Sequence, residues 1–392
     1  MSQGPVRHVS DQERRARIAV RHALAPRCRV ASPEAATRAM TVLHATEPAT
    51  VYLSCWARVE SLQIGDVDRA LYTERPLVKQ LAMRRTLFVF PRDLLPAAWG
   101  SASSRVARTE RARMAKDIVA AELAPDGDAW LDQGRAAVLS VLAAEPEGLP
   151  ALELRRAVPM IDVDVQVSAT ATWRASRVLT HLGLTADIVR GTNTGHWRVS
   201  RPRWTLMQNW LDDVPAAWDA TDGYQEIARR WLYSFGPGTE NDLVWWLGAT
   251  KSVARTALAA LGAVPVSLDQ GETGWLLPDD VAEVGDPGPW VALLPVLDPT
   301  VMGWQSRDFY LGPHRDLLFD RTGNAGTTAW VDGRVVGCWE QDATGAVRVN
   351  LLEPVSASAR RALDDEAARL TAWLPGVQIG TGYRSAAMKA LH

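Results

Sequence analysis

Between Leu43 and Pro48 the chain sets His44, Thr46 and Glu47 close together, with only Ala45 intervening. A neutral imidazole, with an ordinary pKa of about 6.5, can take up a proton near neutral pH. A threonine hydroxyl can hold a water molecule as donor or acceptor. A carboxylate next to them is a partner for a cation. A purely local reading also exists, with His44 at a helix end and Thr46 capping the backbone. Backbone geometry separates the two readings. Residues i and i+2 point apart in a helix but share a side in extended chain. Pro48 pushes Glu47 towards extended geometry. His44 and Thr46 therefore project together if the preceding helix has ended by Leu43.

The rest of the chain contains no other catalytic grammar. The seven histidines (8, 22, 44, 181, 196, 314 and 392) have no zinc spacing. Cys28, Cys55 and Cys338 form neither a metal motif nor a disulfide framework, which fits a reducing cytoplasm. There is no phosphate-binding Walker loop, no dinucleotide fingerprint after a strand and no nucleophile elbow. A zinc deaminase signature is also missing. Lysine is scarce (Lys79, Lys116, Lys251 and Lys389), so few amines could form a Schiff base. No metal and no cofactor are expected.

At 392 residues, with 47% apolar and 22% charged content, the chain reads as two to four globular domains. No apolar run is long enough for a transmembrane helix, and residues 1–17 lack the apolar core of a signal peptide. A cytoplasmic protein is expected. The net charge of −2 hides an uneven distribution. Residues 1–120 hold 20 Lys+Arg against 11 Asp+Glu, and the remainder holds 23 against 34. The basic end is the better surface for tracking phosphates, and Arg84 and Arg85 are its candidates. Seventeen tryptophans fill cores or stack on bases.

The elements that position these groups show a repeat. Residues 173–199 read as an Arg-bearing helix with Arg174 and Arg177, a Gly183 stop, an extended stretch, a Gly-rich tip and Trp197. Residues 252–277 repeat the order, with Arg255, Gly262, the tip 269–274 and Trp275. Helix, glycine cap and hairpin make up the last third of a winged helix. A divergent first copy is expected at 10–95. There a helix opens at Ser32, Pro33 and Glu34 and fails near Pro48, and 81–90 forms a strand pair. The expected plan is winged helices at 10–95, 131–205 and 222–286, a helical connector at 96–130, and a β-rich domain at 290–392. That last domain has a hairpin turning at Asp332 and Gly333 and a short strand at the chain's end. Arg174 and Arg177 would lie on the recognition helix of the second module.

Three segments carry a resemblance. They are Leu43-His44-Ala45-Thr46-Glu47-Pro48 leading to Trp56-Ala57-Arg58; Leu294-Pro295-Val296-Leu297-Asp298-Pro299 with Gly303-Trp304; and Thr328-Ala329-Trp330-Val331-Asp332-Gly333-Arg334-Val335-Val336-Gly337. Over roughly 12–375 the chain resembles the winged-helix DNA glycosylases that include azinomycin-resistance and interstrand-crosslink glycosylases. The resemblance implies an α+β fold of three tandem winged-helix modules followed by a small β-barrel-like C-terminal domain. It implies release of alkylated purines from double-stranded DNA without a metal, including bulky N7-alkylguanine adducts, in repair or in self-resistance. It places His44 and Thr46 where the family has a Gln-x-Gln or Gln-x-Asp pair, with Glu47 beside them as an electrostatic partner. Trp56, Arg58, Asp298 and Trp304 would support that site. The expected enzyme is a monofunctional, monomeric glycosylase. The alternative is a non-catalytic winged-helix DNA-binding protein or regulator, with a protein-interaction scaffold as a weaker third.

Overall fold

The computed structural model describes residues 4–168, 171–174 and 176–390. Ala169, Thr170 and Ala175 of the expected second module, and Leu391 and His392 of the expected last domain, lie outside the described residues. The architecture is α+β, with several small sheets. It divides into two compact units, Met1–Val67 with Gln225–His392, and Asp68–Tyr224. The division at 67/68 falls inside the span 10–95. No described helix is long and apolar enough to cross a membrane.

In the unit formed by the two chain ends, Ser10 accepts the Glu13 N–H and opens the helix Asp11–Arg21. Ser32 and Pro33 open Pro33–Ala39 as expected. That helix does not run on to Pro48. It stops at Ala39, Thr41 takes a φ of 63°, and Leu43–His44 is extended. Pro48 starts the next helix, Pro48–Trp56, because its fixed φ and missing N–H suit a first turn as well as they suit a break. Every residue from Ala49 to Trp56 is buried, so the segment shows no polar stripe by which a sequence reading could recognise a helix.

At 252–277 the expected order of helix, glycine stop and hairpin is present, but Thr273 and Gly274, expected in the tip, belong to the return strand. Thr239 and Asp242 make a capping box for Glu240–Leu247, Lys251–Ala260 follows, and Gly262 takes a φ of 59°. Val264–Leu268 and Thr273–Leu276 then pair antiparallel. Two short strands complete this sheet: Gly238–Thr239 on one edge and His8–Val9, running parallel, on the other. Val9, Val266, Leu268 and Leu276 form its core.

The C-terminal strands Val291–Leu294, Thr328–Val331, Arg334–Gln341 and Val347–Leu351 form one antiparallel sheet in that order, with the helix Ala357–Trp373 packed on it. Asp332 and Gly333 have φ values of 47° and 84°, the two positive angles that a type I′ turn requires. The expected barrel is not closed. The two edge strands do not pair with each other, and four strands are too few to close a barrel. The expected final strand is replaced by the short helix Ala386–Lys389, capped by Ser385.

In the unit Asp68–Tyr224, Leu77–Leu81 and Leu87–Pro91 form a hairpin. Arg84 and Arg85 sit at its tip, with φ of 53° and 58°, not on a strand face. Helices Ser104–Ala120 and Gly127–Ala143 pack a core that includes Met114, Ile118, Val138 and Leu142. The helix expected to include Trp173 and Arg174 begins later, as Ser176–Leu184. Those two residues belong to the strand Ala171–Arg174, which pairs with Asp164–Ser168. The β-branched Val165, Val167 and Thr172 favour that strand. The following hairpin pairs Ile188–Asn193 with Pro202–Leu206, so its return strand lies beyond Trp197. The Asn193 side chain organises the longer connection, donating to the Gly195 and Val199 carbonyls and accepting the Arg201 N–H.

Candidate active site

The helix end at Ala39 meets the condition set by the sequence, and the chain from Leu43 to Glu47 is not helical. His44 is buried at 8% exposure, whereas Thr46 is exposed. The Thr46 N–H points at His44 Nδ1 over a long 3.4 Å. In the neutral ring that contact places the proton on Nε2. Glu47 is the N-cap residue of Pro48–Trp56, with φ −93° and ψ 118°, and its side chain does not cap the helix. Burial raises the Glu47 carboxyl above its ordinary pKa, and a hydrogen bond from the Gly382 N–H offsets part of that rise. Among the described residues, no Arg or Lys contributes to holding its charge.

A network at the other end of the same helix fixes where Glu47 stands. Arg58 donates to Asp298 Oδ2 at 2.9 Å and Oδ1 at 2.7 Å, and both side chains are fully excluded from solvent. Ser54 Oγ donates to Asp298 at 2.6 Å, and the Thr300 N–H at 2.9 Å. Burial alone would raise the Asp298 carboxyl. The Arg58 charge and these hydrogen bonds outweigh it and hold the group below the usual carboxylate range. Arg58 also donates to Thr300 Oγ1, which lies 2.9 Å from His22 Nδ1, and His22 Nε2 lies 3.1 Å from the Ser234 carbonyl. Burial first, and the Arg58 charge second, push the His22 pKa down to about 3. Thr50 donates to the Val296 carbonyl at 2.9 Å, a second tie between this helix and the segment before Asp298.

The candidate supports thus act through packing and position. Arg369 lies 3.7 Å over the buried Trp56 ring. Trp304 donates to the Phe235 carbonyl at 3.0 Å and stacks on His22.

Glu47 borders a cavity of about 390 Å³ whose lining also includes Thr50, Leu53, Val296, Trp339 and Arg384. His44 and Thr46 are not part of that lining. In the unit Asp68–Tyr224, Arg84 and Arg85 are exposed, and Arg85 reaches Glu110 at 3.1 Å. Arg174 is exposed and reaches Asp164 at 3.3 Å. Arg177 is largely covered, held by Glu110 at 3.3 Å and Asp117 at 3.5 Å. Sequence reasoning missed His22, Ser54, Thr300 and the segment 377–385 around Gly382. No spacing links them, and they meet only through the fold. Among the described residues no cluster of His, Cys, Asp and Glu could hold a metal ion.

The sequence matches the family described as DNA glycosylase AlkZ-like over residues 37–373, a span that holds His44, Thr46, Glu47, Asp298 and Trp304. In structure the chain is similar to the DNA glycosylase AlkZ of Streptomyces sahachiroi, with a TM-score of 0.72 and 20% identity, covering 93% of this chain and 97% of that one. At that identity the likeness is one of fold. No curated protein matches the sequence. With a family match over most of its length and a similar fold over 93% of the chain, the chain belongs to the AlkZ-like DNA glycosylases.

Proposed function

We propose that this glycosylase hydrolyses the N-glycosidic bond of alkylated purines in double-stranded DNA, above all N7-alkylguanine with small or bulky substituents, in repair or self-resistance. It works as a monomer in the cytoplasm. Its helix–hairpin units serve as winged-helix modules on the duplex, and the β-rich C-terminal domain completes the site. His44, Thr46 and Glu47 form the catalytic group.

N7 alkylation leaves the base positively charged. The bond from C1′ to the base can break with its electron pair passing to the base, which departs neutral and needs no proton. The sugar is left with oxocarbenium character. A water oxygen then bonds to C1′ and its proton passes to a base. We assign that proton to Glu47, whose raised pKa makes it the better acceptor. Its negative charge also faces the developing cation. His44, through Nδ1 and the Thr46 N–H, holds the 44–47 turn. The exposed Thr46 hydroxyl can hold the attacking water.

The observation that carries this reading is Glu47: a partly buried carboxylate, without a cationic partner among the described residues, at the edge of a cavity. The test is base release from a duplex carrying one N7-methylguanine, comparing wild type with Glu47→Gln. Release by wild type and its loss in the variant support the assignment. Release by both removes Glu47 from the chemistry. Duplex binding with no release by either returns the chain to a purely DNA-binding role.

A further inference from the structure

The cavity beside Glu47 has a wall that the family match does not reach. Its floor is apolar and buried, made by Leu53, Val296, Trp339 and Met388. Its outer wall is residues 378–381 and Arg384, whereas the family match ends at residue 373. Hydrogen bonds fix this wall in place. The Ile379 N–H donates to Gln341 Oε1 at 2.8 Å, and Gln341 Nε2 donates to the Val377 carbonyl at 2.8 Å. Arg384 makes a two-pronged pair with Glu340 at 2.8 and 2.6 Å. The Gly382 N–H reaches Glu47 itself.

The volume lies within the range of small-molecule sites. Three acids, Glu47, Glu340 and Asp342, face a single base, Arg384, in the lining. That balance disfavours a backbone phosphate and suits a neutral or cationic occupant. The apolar floor with its indole favours a flat or aliphatic body. Because Glu47 belongs to the lining, whatever fills the cavity lies beside the same carboxylate.

We infer that this cavity receives the N7 substituent of the damaged base, an apolar or aromatic group without negative charge, and that the wall 378–384 decides which adducts fit. The inference rests on the assignment of Glu47 to glycosidic hydrolysis and adds where the substituent lies and which residues select it.

The test fills the cavity from its rim. Ala343 and Gly380 are exposed lining residues that carry no polar side chain. A Cβ on Gly380 would meet nothing within 4 Å, and Gly380 has no positive φ. Ala343→Trp and Gly380→Trp are assayed on duplexes carrying either N7-methylguanine or N7-(naphthylmethyl)guanine. Each variant is expected to lower release of the bulky base relative to release of methylguanine by about tenfold or more. Equal loss on both substrates, or loss on neither in both variants, overturns the inference. So does a wild type that releases methylguanine but not the bulky base. A wild type that releases neither overturns the hydrolytic reading beneath it.

Discussion

Arg58 and Asp298 face each other as a two-pronged ion pair, at 2.9 and 2.7 Å, with neither side chain reaching solvent. Removing one partner strands a buried charge. Asp298→Ala is therefore expected to cost about 3–5 kcal/mol, because Arg58 keeps its desolvation penalty without its counter-charge. Replacing both, as Arg58→Met with Asp298→Leu, should cost less than the sum of the single changes. Urea unfolding of the two singles and the double measures this. Additive costs, or a single-variant cost under about 1 kcal/mol, would show that the pair is not coupled in this way.

His22 makes the same network sensitive to acid. Its folded pKa is lowered to about 3 from an ordinary 6.5, so between those values the unfolded chain binds a proton that the folded chain refuses. Stability is therefore complete above about pH 6.5 and declines as pH falls towards about 3. Asp298, whose own pKa is lowered from 3.8, adds a loss in the same direction only at more acidic pH. Unfolding free energies between about pH 4 and 6.5 should thus slope upward with pH in wild type and less steeply in His22→Gln, where His181, also lowered by burial, still contributes. An identical slope in both proteins would assign the effect to another group.

The parts of this arrangement that were legible in the sequence are those signalled locally. Ser32 with Pro33 marks a helix start, Gly262 a helix end, and Asp332-Gly333 a tight hairpin, each through the chemistry of a few adjacent residues. Pro48 is ambiguous in sequence because proline marks both the end of one helix and the beginning of another. Trp173 and Arg174 precede the helix rather than belong to it, since a single Arg-bearing stretch does not fix a boundary. Among the site residues, His44, Thr46 and Glu47 were found through the resemblance. The Gly382 contact to Glu47, and the Thr300 bridge from Arg58 to His22, join residues far apart in sequence, and no periodicity records such pairs.

Glu47 should govern the acidic limb of the pH–rate profile. Burial raises its pKa above the ordinary 4.5, and only the ionised form accepts a proton. The rate should fall as pH drops through that raised value. Glu47→Gln should lower base release by about 10²–10⁴-fold, leave duplex binding intact and abolish the limb. The same limb persisting in the variant would assign it to another residue.

His44 is a positioning residue in this scheme, and its two simplest replacements should differ. His44→Ala removes the acceptor that faces the Thr46 N–H, so release should fall by about tenfold or more. His44→Asn keeps an acceptor oxygen near the position of Nδ1 and should retain most of the rate. If Asn is as poor as Ala, and a limb of the pH–rate profile disappears in both, His44 is itself the proton acceptor.

Arg84 and Arg85 stand at the tip of the hairpin Leu77–Leu81 and Leu87–Pro91, exposed and in left-handed backbone conformation. A tip of this kind can reach a phosphate that a strand face cannot. Arg84→Ala and Arg85→Ala should each weaken binding to duplexes of any sequence and reduce the salt dependence by about one unit of log–log slope. Arg177→Ala is the internal control, because Arg177 is held between Glu110 and Asp117 and shares Glu110 with Arg85. It should lower stability and leave the slope unchanged. A slope unaltered in the Arg84→Ala, Arg85→Ala double variant would remove the tip from the DNA interface, and a slope altered only by Arg177→Ala would place the contact on the helix Ser176–Leu184 instead.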